Sequence, residues 1–236
     1  YINGKSAVVY SNDYYPSIPP LAKTIKADLT AELTKALEEH LKEIGVPTNI
    51  GAILVVNNSN AGIVSNSTFP ILAETNSNEI HYLIGSLKKP ILAYGALSTN
   101  SAYKDRIYNN LSFSAFMKES DDLYAAFLLK EVMQNQQRKF GDVLESDLAL
   151  PLTSTTEDSF FDKLPARATY SRPLDRNNEI YRNSIGQEKP YRFVDVVQWY
   201  ARIASGKKLV LNFSGNEVAY NELSIDKNSL RILKSS

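Results

Sequence analysis

Apolar residues along this chain fall into two patterns, short unbroken runs and stripes spaced three or four apart. The run KSAVVYS, residues 5–11, predicts a strand. The three prolines of NDYYPSIPP, residues 12–20, restrict their own backbone and that of the residues before them, so no helix forms there. A helix is expected next. Leu29, Leu33, Leu37, Leu41 and Ile44 recur at helical spacing, with Asp28 placed to cap the first turn and Gly45 to stop the last. GAILVVNN, residues 51–58, and PILAYGAL, residues 90–97, are continuous apolar runs with polar ends, the pattern of strands covered on both faces of a parallel sheet. Between them SNEIHYLIGSL, residues 77–87, reads as a short helix capped by Ser77.

Residues 1–97 therefore parse as β-α-β-α-β, which predicts an α/β fold with a parallel or mixed sheet and flanking helices. A long helix is expected over residues 121–141, with Leu123, Phe127, Leu128 and Val132 as its stripe and Gly141 as its end. Residues 142–192 show little periodicity and carry prolines at 151, 165, 173 and 190, which predicts an extended irregular arm. FVDVVQWYARIASG, residues 193–206, then reads as an amphipathic helix carrying Trp199. KKLVLNFSG and NSLRIL read as two strands around a turn at Gly215-Asn216. The expected organisation is a sheet domain over 1–141, an arm over 142–192, and a helix with two strands over 193–236 that completes the same domain.

Composition narrows the chemistry. With 236 residues, 43% of them hydrophobic, the chain can bury a core and is expected to be a soluble globular protein. Lys+Arg and Asp+Glu both number 26, so a globally basic nucleic-acid surface is excluded. The absence of cysteine removes disulfides, thiolate metal sites and cysteine nucleophiles, and two histidines do not build a zinc site of imidazoles. Neither G-x-G-x-x-G nor G-x-x-x-x-G-K-[ST] occurs, so no phosphate-cradling loop is read and no metal or cofactor is called for. No apolar run reaches the roughly 18 residues of a membrane span. Tyr1 stands where a start methionine would, as expected of a processed or trimmed N-terminus, and the sequence assigns no compartment.

Ligands of open α/β sheets bind beyond the carboxyl ends of the strands, which makes Asn57, Asn58, Ser59, Asn60, Ser98 and Thr99 candidates for holding a small polar ligand. The stretch GAILVVNNSNAG, a helix, then KKPILAYGALSTNSAY resembles the signal-peptide-peptidase branch of the ClpP-like serine proteases. In that family the nucleophilic serine follows a strand opening with Lys-Pro, and the resemblance implies that role for Ser101. Asn60-Ala61-Gly62 stands in place of the family's paired glycines, Ala102 in place of the Gly-Gly after the serine, and no lysine is assigned as base. A serine without a positioned base is a weak nucleophile. Extended through DRIYNNLSFSAFMKESDDLYAAFLL, the same residues also resemble the first lobe of type I periplasmic binding proteins, whose strand ends contact a small polar ligand. His40, among Glu38, Glu39 and Lys42, and His81, beside Tyr82, are read as ordinary helix residues.

Charge is segregated late in the chain. Between 142 and 162 the charged residues are Asp142, Glu145, Asp147, Glu157, Asp158 and Asp162, with no Lys or Arg among them. Arg167, Arg172, Arg176, Arg182, Lys189 and Arg192 then follow against three acids, interleaved with Tyr170, Tyr181, Tyr191 and Phe193. Aromatic-basic stretches can bind nucleic acid, but affinity grows with the number of phosphates neutralised and so small an excess argues against it. Complementary arms instead suit pairing between copies or with a protein partner. The leading expectation is thus a non-enzymatic assembly subunit, with Glu157, Asp158, Asp162, Arg167, Tyr170, Arg172, Arg176, Tyr181, Arg182 and Arg192 at its contacts. A serine hydrolase using Ser101 and a domain binding a small polar ligand are the alternatives.

Overall fold

The computed structural model describes residues 7–8, 27–43, 45, 52–57, 63–68, 81–154, 159–211 and 223–236. The chain divides into two compact units, one of Tyr1–Ile80, Phe193–Ser205 and Leu209–Glu222, the other of His81–Arg192, Gly206–Lys208 and Leu223–Ser236.

In the first unit β1 (Ala7–Val8), β2 (Ala52–Val56) and β3 (Ile63–Thr68) form a three-stranded sheet in the order β1-β2-β3. Both pairings are antiparallel, which corrects the expected parallel or mixed sheet. The reason is connection length. Only residues 57–62 separate β2 from β3, whereas a parallel crossover needs about a dozen residues or more. The register slips between Val55 and Val56, so that Val56 faces Ile63. Helix α1 (Ala27–Glu43) forms where the leucine stripe predicts it, and Gly45 after it adopts φ +69°. Helix α6 (Phe193–Ser205) buries Val196, Val197, Trp199, Ala201 and Ile203. Arg202 Nε donates to Leu209 O at 2.7 Å and so ties the chain beyond α6 to the helix.

The second unit is mostly helical. The run at 90–97 lies in a helix, not in a strand: α2 (Lys88–Thr99) holds Ile91, Leu92, Ala93, Tyr94 and Ala96 at 0% exposure. A helix apolar on all sides is one buried on all sides, and it shares an unbroken apolar run with a central strand. The expected helix over 77–87 is likewise corrected. β4 (His81–Tyr82) pairs antiparallel with β7 (Tyr191–Arg192), and a 3-10 turn at Gly85–Leu87 leads into α2. A second hairpin joins β5 (Ile107–Tyr108) to β6 (Leu111–Ser112) through Asn109 and Asn110, both at positive φ as a tight hairpin turn demands. α3 (Phe113–Glu119) follows, then α4 (Asp122–Leu148), capped by Asp121 and broken at Gln136. Gly141 does not end α4, and Ala149 in the left-handed region does.

The stretch 142–192 is not an extended arm. Its start continues α4, Phe160 N donates to Pro151 O at 2.7 Å, and α5 (Glu179–Ser184) forms under an Asn178 cap. Asp147 accepts from Tyr94 Oη at 2.6 Å and from Lys208 Nζ at 3.1 Å, so this acid is consumed inside the unit. The expected strand NSLRIL is part of helix α7 (Lys227–Ser235), which Asp226 caps by accepting from Asn228 N at 3.0 Å. Of KKLVLNFSG, Lys207 makes one isolated antiparallel bridge with Ser224, and residues 212–215 lie outside the described residues.

Candidate functional site

The site is built on a meeting of two glycines. Gly85 (φ +56°) donates its N–H to Gly186 O at 3.3 Å. A Cβ on Gly186 (φ +66°) would lie 2.5 Å from Gly85 O and 2.8 Å from Gly85 N, so only glycine lets these segments touch. Pairing of β4 with β7 holds the same two segments together just upstream and downstream. Ser86, exposed, follows on the 3-10 turn. That turn runs into α2 without a break, since Leu87 (φ −62°, ψ −18°) and Lys88 (φ −71°, ψ −27°) are both helical. Residues three apart on a helical turn share a face, which sets Lys89 beside Ser86.

Lys89 is buried, with 3% of its side chain exposed, and its ammonium is fully occupied. Nζ donates to Asp122 Oδ1 at 2.5 Å, to Ser120 Oγ at 3.1 Å and to Ser120 O. Ser120 is the left-handed residue (φ 56°, ψ 44°) that ends α3, and this turn aims both its oxygens and Asp122 at Lys89. Asp122 opens α4, where the helix dipole favours a carboxylate. Tyr181 Oη donates to Asp122 Oδ2 at 3.4 Å, and its phenol is raised by burial first and by the Asp122 charge second.

Lys88 turns the other way. It is fully buried, donating to Tyr191 Oη at 2.5 Å, Phe160 O at 2.7 Å and Asn183 Oδ1 at 3.3 Å, with Nζ 4.2 Å from the Phe160 ring centroid. Loss of hydration pulls its ammonium down to about 7, against the opposing pull of the Glu188 charge. Burial pushes Glu188 up to about 7, with Lys88 acting against it. Lys88 therefore fastens the start of α2 to the segment that carries Gly186, while Lys89 faces Ser120 and Asp122. An exposed hydroxyl, a buried amine on the same face, and a carboxylate orienting that amine are the parts of an activated nucleophile.

The residues expected from sequence lie elsewhere. Ser101 is exposed and starts a 3-10 turn beyond the C-terminal end of α2, the end opposite Ser86. Ser98, Thr99 and Ser101 come together with Asn100, Gln136 and Lys139 on an open cavity of about 440 Å³. Asn57 is exposed in the other unit, and Asn58, Ser59 and Asn60 lie outside the described residues. Asp162, Arg167, Arg172, Arg176 and Arg182 are exposed, and Tyr170, Tyr181 and Arg192 are half-buried. Tyr191 and Lys189 are buried, while Glu157 and Asp158 lie outside the described residues. Among the described residues no three His, Asp or Glu side chains gather as a metal site would require, and no helix is long and apolar enough to cross a membrane.

Ser86, Lys89, Ser120 and Asp122 were not among the sequence candidates. Their signal is Ser86-Leu87-Lys88-Lys89 followed by Ser120-Asp121-Asp122, and reading 77–87 as one element and 90–97 as another splits its first half at the boundary.

No protein-family model and no curated protein matches the sequence. Among solved structures the chain is similar in fold to the apo TP domain of penicillin-binding protein 3 from Burkholderia pseudomallei. The TM-score is 0.58 at 12% identity, over 92% of this chain and 70% of that one.

Proposed function

We propose that the chain is a serine acyl-transfer enzyme of the penicillin-binding kind, with Ser86 as nucleophile and Lys89 as its proton acceptor. The observation that carries this reading is the convergence of Lys89 Nζ on Ser120 Oγ and Asp122 Oδ1, one helical turn after an exposed Ser86. Penicillin-binding proteins and class A β-lactamases pair a Ser-x-x-Lys motif with Ser-Asp-Asn, and here the two motifs read Ser86-x-x-Lys89 and Ser120-Asp121-Asp122. The likeness of fold to a penicillin-binding TP domain supports the same reading. The third motif of those enzymes, Lys-Thr-Gly, does not occur in the 236 residues.

In the reaction Ser86 Oγ bonds to the acyl carbonyl carbon as the leaving group departs. The Ser86 proton passes by way of Lys89 Nζ, which Ser120 and Asp122 hold in place, to the leaving group. The product is a Ser86 ester, and water or an amine resolves it. Incubation with a fluorescent penicillin followed by peptide mass spectrometry should place the adduct on Ser86. Ser86→Ala should abolish it and Ser101→Ala should leave it. An adduct on Ser101 instead, or none under saturating probe, would overturn the assignment.

Assembly through charged arms is a second reading, supported by the exposure of Arg167, Arg172, Arg176, Arg182 and Asp162. It requires that light scattering show a mass that rises with concentration and falls with salt. A constant monomer mass at low salt would rule it out.

A further inference from the structure

We propose that Asp122 makes the Ser86 site select acyl donors that are neutral or cationic beside the reacting carbonyl, and discriminate against anionic ones. This rests on the acyl-transfer reading and adds a substrate class to it. The Ser-Asp-Asn form of the second motif ends in an uncharged amide, which sets no negative charge against the lysine. Here the corresponding residue is a carboxylate 2.5 Å from Lys89 Nζ. The Lys89–Asp122 pair is neutral overall whichever partner holds the shared proton, so the site offers one positive charge fewer to an incoming anion.

The surroundings reinforce the sign. Lys89 is 3% exposed whereas Asp122 is 47% exposed, so the negative member of the pair is the one that faces an arriving ligand. Glu119 and Asp121 flank Ser120 on either side, and both reach solvent. Tyr181 Oη, the other group on Asp122, is a neutral donor, and Arg176 is the cation whose charge reaches Tyr181. No metal, cofactor or co-reactant is needed, because the covalent step is the same acyl transfer for every donor.

A pair of probes that differ only in charge reads this out: a penicillin with its free carboxylate, and the same penicillin as its methyl ester. For the wild type the acid-to-ester ratio of Ser86 acylation rates should lie below one. Asp122→Asn should raise that ratio about tenfold, which corresponds to about 1.4 kcal/mol, and Asp122→Glu should leave it low. Salt provides a test on the wild type alone. Raising ionic strength from about 0.1 M to about 1 M, which shortens the screening length from about 10 Å to about 3 Å, should raise the ratio. An unchanged ratio in Asp122→Asn, or a salt-independent ratio in the wild type, with Ser86 still labelled by both probes, sinks the charge-selection proposal alone. Failure of both probes to label Ser86 in the wild type sinks it together with the acyl-transfer reading.

Discussion

Gly186 and Gly45 both sit at positive φ, +66° and +69°, yet they carry different weight. Around Gly45 no atom of the described residues lies within 4 Å of the place a Cβ would take, so alanine there meets the left-handed backbone penalty of about 1–2 kcal/mol. At Gly186 the same carbon would press on the backbone of Gly85 at 2.5 Å, and backbone cannot swing aside as a side-chain tip can. Overpacking adds about 1–3 kcal/mol to the conformational cost. Gly186→Ala should therefore lose about 2–5 kcal/mol by urea titration and reduce Ser86 acylation, while Gly45→Ala loses about 1–2 kcal/mol and leaves acylation intact. Equal losses for the two variants would mean that the Gly85–Gly186 contact does not set the turn. The neighbouring lysines make a related point about sequence. Lys88 and Lys89 are indistinguishable as letters, and only their directions on the helix decide that one is a buried fastener and the other faces Ser120 and Asp122.

Helices with a polar side were legible as elements because their apolar stripes repeat at helical spacing: α1, α4 and α6 form at the expected places. Strand β2 was legible too, but its direction was not, since a buried run carries no information about its neighbour's orientation. The run in α2 reads as a strand for want of a polar side, and that hides the candidate site, whose first motif spans the start of that helix. Packing of α2 on α4 explains the run and can be tested at Gly95. A Cβ there would lie 2.6 Å from Phe140 Cε2 and 3.0 Å from Leu144 Cδ2, and both side chains are at 0% exposure. Helix propensity favours Gly95→Ala by about 1 kcal/mol, whereas overpacking costs about 1–3 kcal/mol. The steric effect should win, giving a net loss of up to about 2 kcal/mol. A stabilised Gly95→Ala would show that α2 and α4 pack less closely than the structure has them.

At the scale of the whole molecule, the buried charges at Lys88 and Glu188 tie stability to pH in opposite directions. Lys88 has a folded value of about 7, below its ordinary 10.5, so between those values the unfolded chain binds more protons and stability rises with pH. Glu188 has a folded value of about 7, above its ordinary 4.5, so between 4.5 and 7 the folded chain binds more protons and stability falls as pH rises. Together they give a shallow minimum near neutrality, with the alkaline limb belonging to Lys88. Lys88→Met removes that limb. It also leaves Glu188 without its cation, which raises the carboxyl further and extends its destabilising window above pH 7. Both consequences have one sign. The stability of Lys88→Met relative to the wild type, from urea midpoints measured side by side, should become less favourable from pH 7 to pH 9 by on the order of 2 kcal/mol. Groups elsewhere in the molecule, the high-titrating tyrosines Tyr82, Tyr94 and Tyr124 among them, titrate alike in both proteins and drop out of the difference. A difference that stays flat across that range would mean that Lys88 titrates at its ordinary value, and that the aromatic enclosure formed by Phe160, Phe161 and Tyr191 admits water to it.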